Sequence, residues 1–238
     1  MIRTDIDVYI SIRSCRLNGR SCYDGGMGWA ATSRHGLAAA PAGLGFVQDF
    51  LNTHPTHPAP SAKPEPAADL LGDLDSAQRW LDGALQSWSQ ETGVPQGRVL
   101  LTEADLDKLR CLRADLESLL RPADRPRDVA LLPSASVLVR VGADGAALLE
   151  PRGEGSRRVS AIVLIETFTA QRLDNWRRLK LCRNDRCRVS FYDRSRNNSA
   201  LWHDSRACGN ATYLRASRAR RRQDELTADQ HPNDSERR

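Results

Sequence analysis

Four residues near the C-terminus have the types and the spacing of a metal site. Cys182, Cys187, His203 and Cys208 form the pattern C-x4-C-x15-H-x4-C. Thiolate and imidazole are the ligands that Zn²⁺ prefers, and a structural zinc takes four of them in a tetrahedron. Each pair spans only four intervening residues, so closing it around a metal costs little chain entropy. The pattern predicts one structural zinc, with no coordination position left open for a catalytic water.

Short strands and a helix are predicted around these ligands. The segments RVSFYD (188–193) and ALWH (200–203) alternate like strands, and RSRNNS between them is rich in turn-forming residues. Such a hairpin would carry the first pair of ligands round to the second. Cys208 is followed by a predicted helix, whose N-terminal N–H groups and dipole favour a thiolate. Knuckle, hairpin and helix together predict a small treble-clef-like zinc module.

Positive charge is concentrated in this same part of the chain. Residues 177–222 carry 14 Arg and Lys against three Asp, a net charge of +11, whereas the remaining residues sum to −6. On the last helix Arg215, Arg218 and Arg222 recur at i, i+3 and i+7, Arg220 and Arg221 lie to the sides, and Leu214 is predicted to face the hairpin. A one-sided arginine row is typical of phosphate or major-groove contacts, although it also occurs on solvated helix ends.

The chain before this module predicts a mainly helical body with one β-hairpin, and so an α+β protein. Residues 1–41 show no periodicity and are expected to be disordered. Helices are predicted from near Leu44, over 67–90 and from a capping box at Thr102–Asp105, with Cys111 as a small core residue. A hairpin and a long buried helix follow. The predicted divisions are a disordered extension, a helical body, a zinc finger and a flexible tail, at residues 1–41, 42–176, 177–224 and 225–238.

The segment 179–222, with its two ligand pairs and the run Cys208-Gly209-Asn210-Ala211, resembles the CGNR-type zinc finger. The upstream helices and hairpin, with FLNT near their start, resemble the ABATE domain that precedes this finger in bacterial proteins, so that the resemblance covers about residues 42–222. It implies a stress-induced transcription regulator whose finger binds DNA. Two positions depart from the family: His203 stands where a cysteine is common, and Ala211 replaces the signature arginine, whose work would fall to Arg206 or Arg215.

Several function classes are disfavoured by what the sequence does not contain. No apolar run approaches the ~18–20 residues of a membrane span, and no secretory signal is recognisable, so we expect a cytoplasmic protein without a membrane partner. The body contains no recognisable nucleophile–base pair, paired carboxylates or phosphate-binding glycine loop, and we expect no enzymatic activity. The body would instead bind a small-molecule effector or form a homodimer. A zinc-stabilised protein-interaction module and an RNA-binding protein remain the alternatives to DNA binding.

Overall fold

The computed structural model describes residues 28–55, 68–121 and 134–230. The helices are α1 (Ala30–Ser33), α2 (Leu44–Leu51), α3 (Leu74–Thr92), α4 (Glu103–Leu120), α5 (Gly155–Arg172) and α6 (Asn210–Gln230). The strands form two antiparallel hairpins, β1 (Val137–Val141) with β2 (Ala147–Pro151) and β3 (Leu179–Leu181) with β4 (Ser190–Tyr192). The predicted α+β class, a helical body with a hairpin followed by a small module, is confirmed.

Helix α2 lies at the centre of the core, where it contacts α1, α3, α4, α5 and β4. Phe46, Val47, Phe50 and Leu51 recur at helical spacing, and all four are fully buried. The polar residues of this helix are buried too. Asp49 is satisfied there by hydrogen bonds from the backbone N–H of Thr32 and from the indole of Trp80. A helix buried all round must be held by several neighbours at once, so α2 joins the parts of the fold.

Hydrogen bonds between indole and carboxylate groups satisfy the polar atoms of this core. The pairs are Trp29 with Glu91, Trp80 with Asp49 and Trp88 with Glu166, at 2.8–2.9 Å. Burial disfavours a charged carboxylate, and it raises the pKa of Asp49 to about 6 and that of Glu166 to about 7 against the opposing indole hydrogen bonds. Both groups therefore make stability depend on pH.

The elements predicted for the body are largely present. The capping box at Thr102 and Asp105 opens α4, with the Thr102 N–H donating to the Asp105 carboxylate at 3.0 Å. The long apolar segment is helix α5, and β1 and β2 form the predicted hairpin. Within the described parts of the chain, no helix is both long and apolar enough to cross a membrane.

Two predictions about the body are wrong, and of the predicted tail the structure describes only residues 225–230, which are helical. Residues 28–41 are not disordered, because they include α1 and place the buried side chain of Trp29 against the core, while residues 1–27 lie outside the described part. Cys111 is exposed rather than buried. It follows Leu109 by two residues, about 200° round the helix, and so lies off the buried stripe. Helix α6 continues to Gln230, beyond the predicted start of the tail at 225.

We predict that Gly43→Ala destabilises the body. Gly43 has an ordinary φ of −59°, but an added Cβ would lie 2.0 Å from the carboxyl carbon of Glu166, which its bond to Trp88 holds in place. Overpacking of this kind costs about 1–3 kcal/mol of unfolding free energy. Gly83→Ala is the matched control, because Gly83 lies inside α3 with open space around its Cβ position, and alanine should stabilise the helix there by about 0.5–1 kcal/mol. Equal effects in urea denaturation would contradict the account.

We predict that Glu166→Gln stabilises the protein more at pH 8 than at pH 5. Because the folded-state pKa of Glu166 is raised from 4.5 to about 7, the folded protein binds more protons than the unfolded chain in this interval, and stability contributed by this group falls as pH rises. The glutamine carries no such charge. The difference in unfolding free energy between variant and parent should grow by up to about 3 kcal/mol between the two pH values. A difference that is constant with pH would refute the prediction.

Candidate metal centre

The four predicted ligands meet at one point. One ligand atom from each of Cys182, Cys187, His203 and Cys208 lies within 4.8 Å of the others. The Nδ1 atom of His203 is 3.4 Å from the Cys187 sulfur and 3.8 Å from the Cys208 sulfur. Tetrahedral zinc, with Zn–S of ~2.3 Å and Zn–N of ~2.0–2.1 Å, requires sulfur–nitrogen distances of about 3.6 Å. The donor set and its spacing therefore fit zinc, with Nδ1 as the histidine ligand.

The first ligand pair lies in the loop between β3 and β4. The Cys182 N–H donates to the carbonyl of Val189 at 2.9 Å, which extends the hairpin ladder to the first ligand. The Cys187 N–H donates to the carbonyl of Asn184 at 2.7 Å and closes a turn. These backbone bonds direct both sulfurs to the same side, so the knuckle is formed by the hairpin itself.

The predicted hairpin between RVSFYD and ALWH is wrong. The strand β4 lies in RVSFYD, but it pairs with β3 on its N-terminal side, and 200–203 form no strand. Lys180 shapes this region, because its ammonium group binds the Asp193 carboxylate and the carbonyls of Asn198 and Ala200. The returning chain then meets the knuckle through a backbone hydrogen bond, from the Arg183 N–H to the Leu201 carbonyl at 2.9 Å.

The second ligand pair lies at the start of the last helix. Between His203 and Cys208 the Asp204 carboxylate accepts hydrogen bonds from two backbone N–H groups, at 2.8 and 2.9 Å, and caps the π-helical turn Ser205–Gly209. This turn runs directly into α6, so Cys208 lies where the helix begins, as predicted. Leu214 does not face the hairpin, because its side chain is 57 % exposed.

The electrostatics of the cluster favour the thiolate form of Cys208. Hydrogen bonds from Cys182 and Cys187 hold its pKa well below the ordinary value, and His203 and Asn184 act in the same direction. Burial lowers the pKa of His203, but its hydrogen bonds with Cys182 and Cys208 outweigh burial and raise that pKa to about 9. The sulfurs therefore favour positive charge at this point, and a bound Zn²⁺ would replace the proton on His203.

The zinc module shares its core with the body. The Asn52 side chain accepts a hydrogen bond from the Ser190 N–H at 2.8 Å and donates one to the Ser190 carbonyl at 3.0 Å. It thus pairs with both backbone groups of Ser190, as a residue of a neighbouring strand would. Next to this contact, the buried carboxylate of Glu117 in the body forms an ion pair with Arg188 of the module. The module and the body are thus joined by buried hydrogen bonds between Asn52 and Ser190 and by an ion pair between Glu117 and Arg188.

The residues predicted to bind nucleic acid fall into two groups. The side chains of one group are exposed, namely Arg206, Arg218, Arg220, Arg221 and Arg222. The Arg215 side chain is half-buried and donates a hydrogen bond to the side-chain Oδ1 atom of Asn184. Three further residues of the knuckle were not predicted as site residues, namely the exposed Arg183 and Arg186 and the buried Asn184. Their position inside C-x4-C was the available signal.

Comparison with known families agrees with the geometry. Residues 178–221 match the family model of the CGNR zinc finger, and a search of curated proteins found no match to the chain. The segment that contains all four ligands is therefore a CGNR zinc finger, and Cys182, Cys187, His203 and Cys208 hold one structural zinc. The histidine ligand, at a position where cysteine is common in this type of finger, is accommodated with its Nδ1 facing the sulfurs.

We predict that Cys182→Ser releases the zinc and unfolds the 178–221 module. Structural zinc supplies about 10–16 kcal/mol to the folding of small zinc modules, far more than three-residue strands can provide. Metal analysis should give one zinc per parent chain and much less in the variant. Cys111→Ser is the matched control, since Cys111 is an exposed cysteine on α4 and its loss should leave zinc content unchanged. A zinc-free Cys182→Ser protein with an intact module would contradict the assignment.

We predict that substitutions of His203 separate ligand chemistry from packing. His203→Cys should keep one zinc per chain, because a thiolate can replace imidazole in a structural site. His203→Ala should weaken zinc binding by orders of magnitude, since it leaves three protein ligands. Competition with a chromophoric chelator measures both affinities. An alanine variant that binds zinc as strongly as the parent would show that His203 is no ligand.

Proposed function

We propose that this protein is a zinc-dependent DNA-binding transcription regulator. The finger would bind DNA through arginines that the zinc centre holds in place. The body would bind a small-molecule effector or pair with a second copy, and it would catalyse no reaction. The observation that carries the proposal is the exposure of the arginines on α6, the helix that begins at a metal ligand.

The second half of α6 has the charge and the exposure of a helix that binds a polyanion. Every side chain from residue 218 to 225 is exposed, so this stretch has no face packed against the described protein. Most helical stability in proteins comes from packing an apolar face, which α6 lacks here. Arg218 and Arg222 lie one turn apart on one face, with Arg221 beside them. Phosphate groups would both neutralise and stabilise such a helix.

The knuckle adds to the same charged surface. The side-chain Oδ1 atom of Asn184 accepts hydrogen bonds from the Arg186 N–H and from the Arg215 guanidinium, so the knuckle meets α6 on its Arg215 face. Arg218 and Arg222 continue that face, three and seven residues further on. We call the exposed side chains of this region the basic surface, and its members are Arg183, Arg186, Arg218, Arg221 and Arg222.

DNA is favoured over other partners by the family of the finger and by the shape of α6. An isolated exposed helix fits the major groove of B-DNA, whereas the major groove of RNA helices is too narrow for protein side chains. One observation favours a protein partner instead: Tyr213 and Leu214 are 64 % and 57 % exposed at the start of α6. A protein partner would be held by these apolar side chains, and its binding would depend little on salt.

We predict DNA binding that weakens steeply with salt and that depends on the basic surface. Replacing Arg218 and Arg222 with glutamine should lower the log–log salt slope by up to about two units, because each phosphate contact contributes ~0.9. Zinc content should not change. The matched control replaces Arg79 and Arg98 with glutamine, which removes the same charge from exposed positions on the body.

Fluorescence anisotropy with duplex DNA over a salt series measures both slopes. If the two double variants lose affinity equally, the basic surface is not the binding site. The DNA proposal fails if the parent binds no DNA at low salt. It also fails if the parent binds a protein partner with an affinity that does not change with salt, and if Tyr213→Ala and Leu214→Ala abolish that binding.

A further inference from the structure

One ligand sulfur is contacted by a side chain outside the ligand set. The Asn184 Nδ2 atom donates to the Cys208 sulfur at 3.3 Å, and the Asn184 side chain is buried. Asn184 belongs to the knuckle, while Cys208 belongs to the turn that opens α6. A hydrogen bond to a charged acceptor is stronger than one between neutral groups, so this bond would hold the Cys208 sulfur in place as a zinc-bound thiolate.

The orientation of the Asn184 amide is fixed from its other end. Its Oδ1 atom accepts from the Arg186 N–H at 3.3 Å and from the Arg215 guanidinium. An amide group has one acceptor end and one donor end, so these two donors turn the amino group toward Cys208. The chain of contacts therefore runs from Arg215 through Asn184 to the Cys208 sulfur.

Arg215 is tied to the Cys208 region by a second contact as well. Its Nη2 atom is 3.3 Å from the Thr212 hydroxyl oxygen, and that hydroxyl donates to the Cys208 carbonyl at 2.9 Å. These contacts hold the guanidinium half-buried against the knuckle, while Arg218, one turn further along α6, is exposed. The two arginines lie on one face of the same helix but have different surroundings.

The positive charge of Arg215 also bears on the net charge of the zinc centre. Three thiolates and a neutral imidazole around Zn²⁺ leave the centre with a net charge of −1. A cation held near a partly buried anionic centre stabilises it, and more strongly than at a solvated surface. Partners of metal ligands that orient or charge-balance them typically change metal affinity by 10–100-fold when removed.

We propose that Asn184 and Arg215 are positioning residues of the zinc centre, with Asn184 holding the Cys208 thiolate and Arg215 orienting Asn184. Arg215 thereby links α6 to the knuckle through the metal site rather than through nucleic acid. This inference rests on the zinc finger and is independent of DNA binding. Of the two residues expected to do the work of the missing signature arginine, Arg206 or Arg215, it leaves Arg206 for a phosphate contact.

The first test measures zinc affinity of the full chain by competition with a chromophoric chelator. Asn184→Ala and Arg215→Gln should each weaken zinc binding by about 10–100-fold. The double variant should lose less affinity than the sum of the two single losses, because the hydrogen bond from Asn184 to the Cys208 sulfur is lost or weakened in both. Arg218→Gln is the matched control, with the same substitution on the same helix face, and its zinc affinity should equal that of the parent. If Arg215→Gln matches this control, or if the two single effects add, the proposal is wrong.

The second test measures the interaction between the ligand sulfurs and the metal by absorption spectroscopy. In the cobalt-substituted protein, the sulfur-to-metal charge-transfer band should shift in Asn184→Ala and in Arg215→Gln, because the Cys208 sulfur loses a hydrogen bond. A general loosening of the fold would lower the amount of metal bound without shifting the band. Arg215→Lys keeps the charge but not the planar guanidinium, and its zinc affinity should fall between those of the parent and Arg215→Gln. An unshifted band in Asn184→Ala, or an Arg215→Gln protein with parental zinc affinity and a reduced salt slope for DNA, would overturn the proposal.

Discussion

The closure of four ligands around one metal is the constraint on which the C-terminal part of the structure depends. The strands β3 and β4 are three residues long, and the segment from Asn198 to Asp204 has no regular structure. The exposed half of α6 has no packed apolar face that could hold it in place. Joining Cys182 and Cys187 to His203 and Cys208 fixes the hairpin, the returning chain and the start of α6 to one point. The direction of α6 is therefore set by coordination chemistry more than by packing.

The hairpin that carries the first ligand pair is held from the other side by the body. Asn52, the residue that follows α2, pairs with both backbone groups of Ser190, and Glu117 of α4 pairs with Arg188. The finger is thus continuous with the central helix of the body rather than connected by a loose linker. A change in the packing of α2 would be transmitted to Ser190 of β4, three residues after the ligand Cys187. Such continuity gives a ligand or a second copy bound to the body a physical route to the finger.

The sequence predicted the site better than its surroundings, for reasons that individual residues make clear. Metal ligands must be of a few residue types at short spacing, so C-x4-C and H-x4-C were readable directly. The long apolar stripes of α3, α4 and α5 were readable for the same reason, because periodicity is a local property. The pairing of β4 with β3 was not, since three-residue strands have too few positions to show alternation and their pairing depends on Lys180 and Asp193. Trp29 packs against the core just before α1, and a four-residue helix is too short to show a periodic pattern in the sequence. The role of Arg215 depends on Asn184, 31 residues earlier, and helical spacing alone could only place it on the same face as Arg218.

The most direct test of this account is X-ray absorption at the zinc edge of the purified full-length chain. The account predicts three sulfur atoms at ~2.3 Å and one nitrogen at ~2.0–2.1 Å, with the outer-shell scattering of an imidazole ring. It also predicts that the nitrogen signal is replaced by a fourth sulfur in His203→Cys. A shell with two or fewer sulfurs, or with an oxygen ligand from water, would show that the four residues do not close around one metal and would contradict the account.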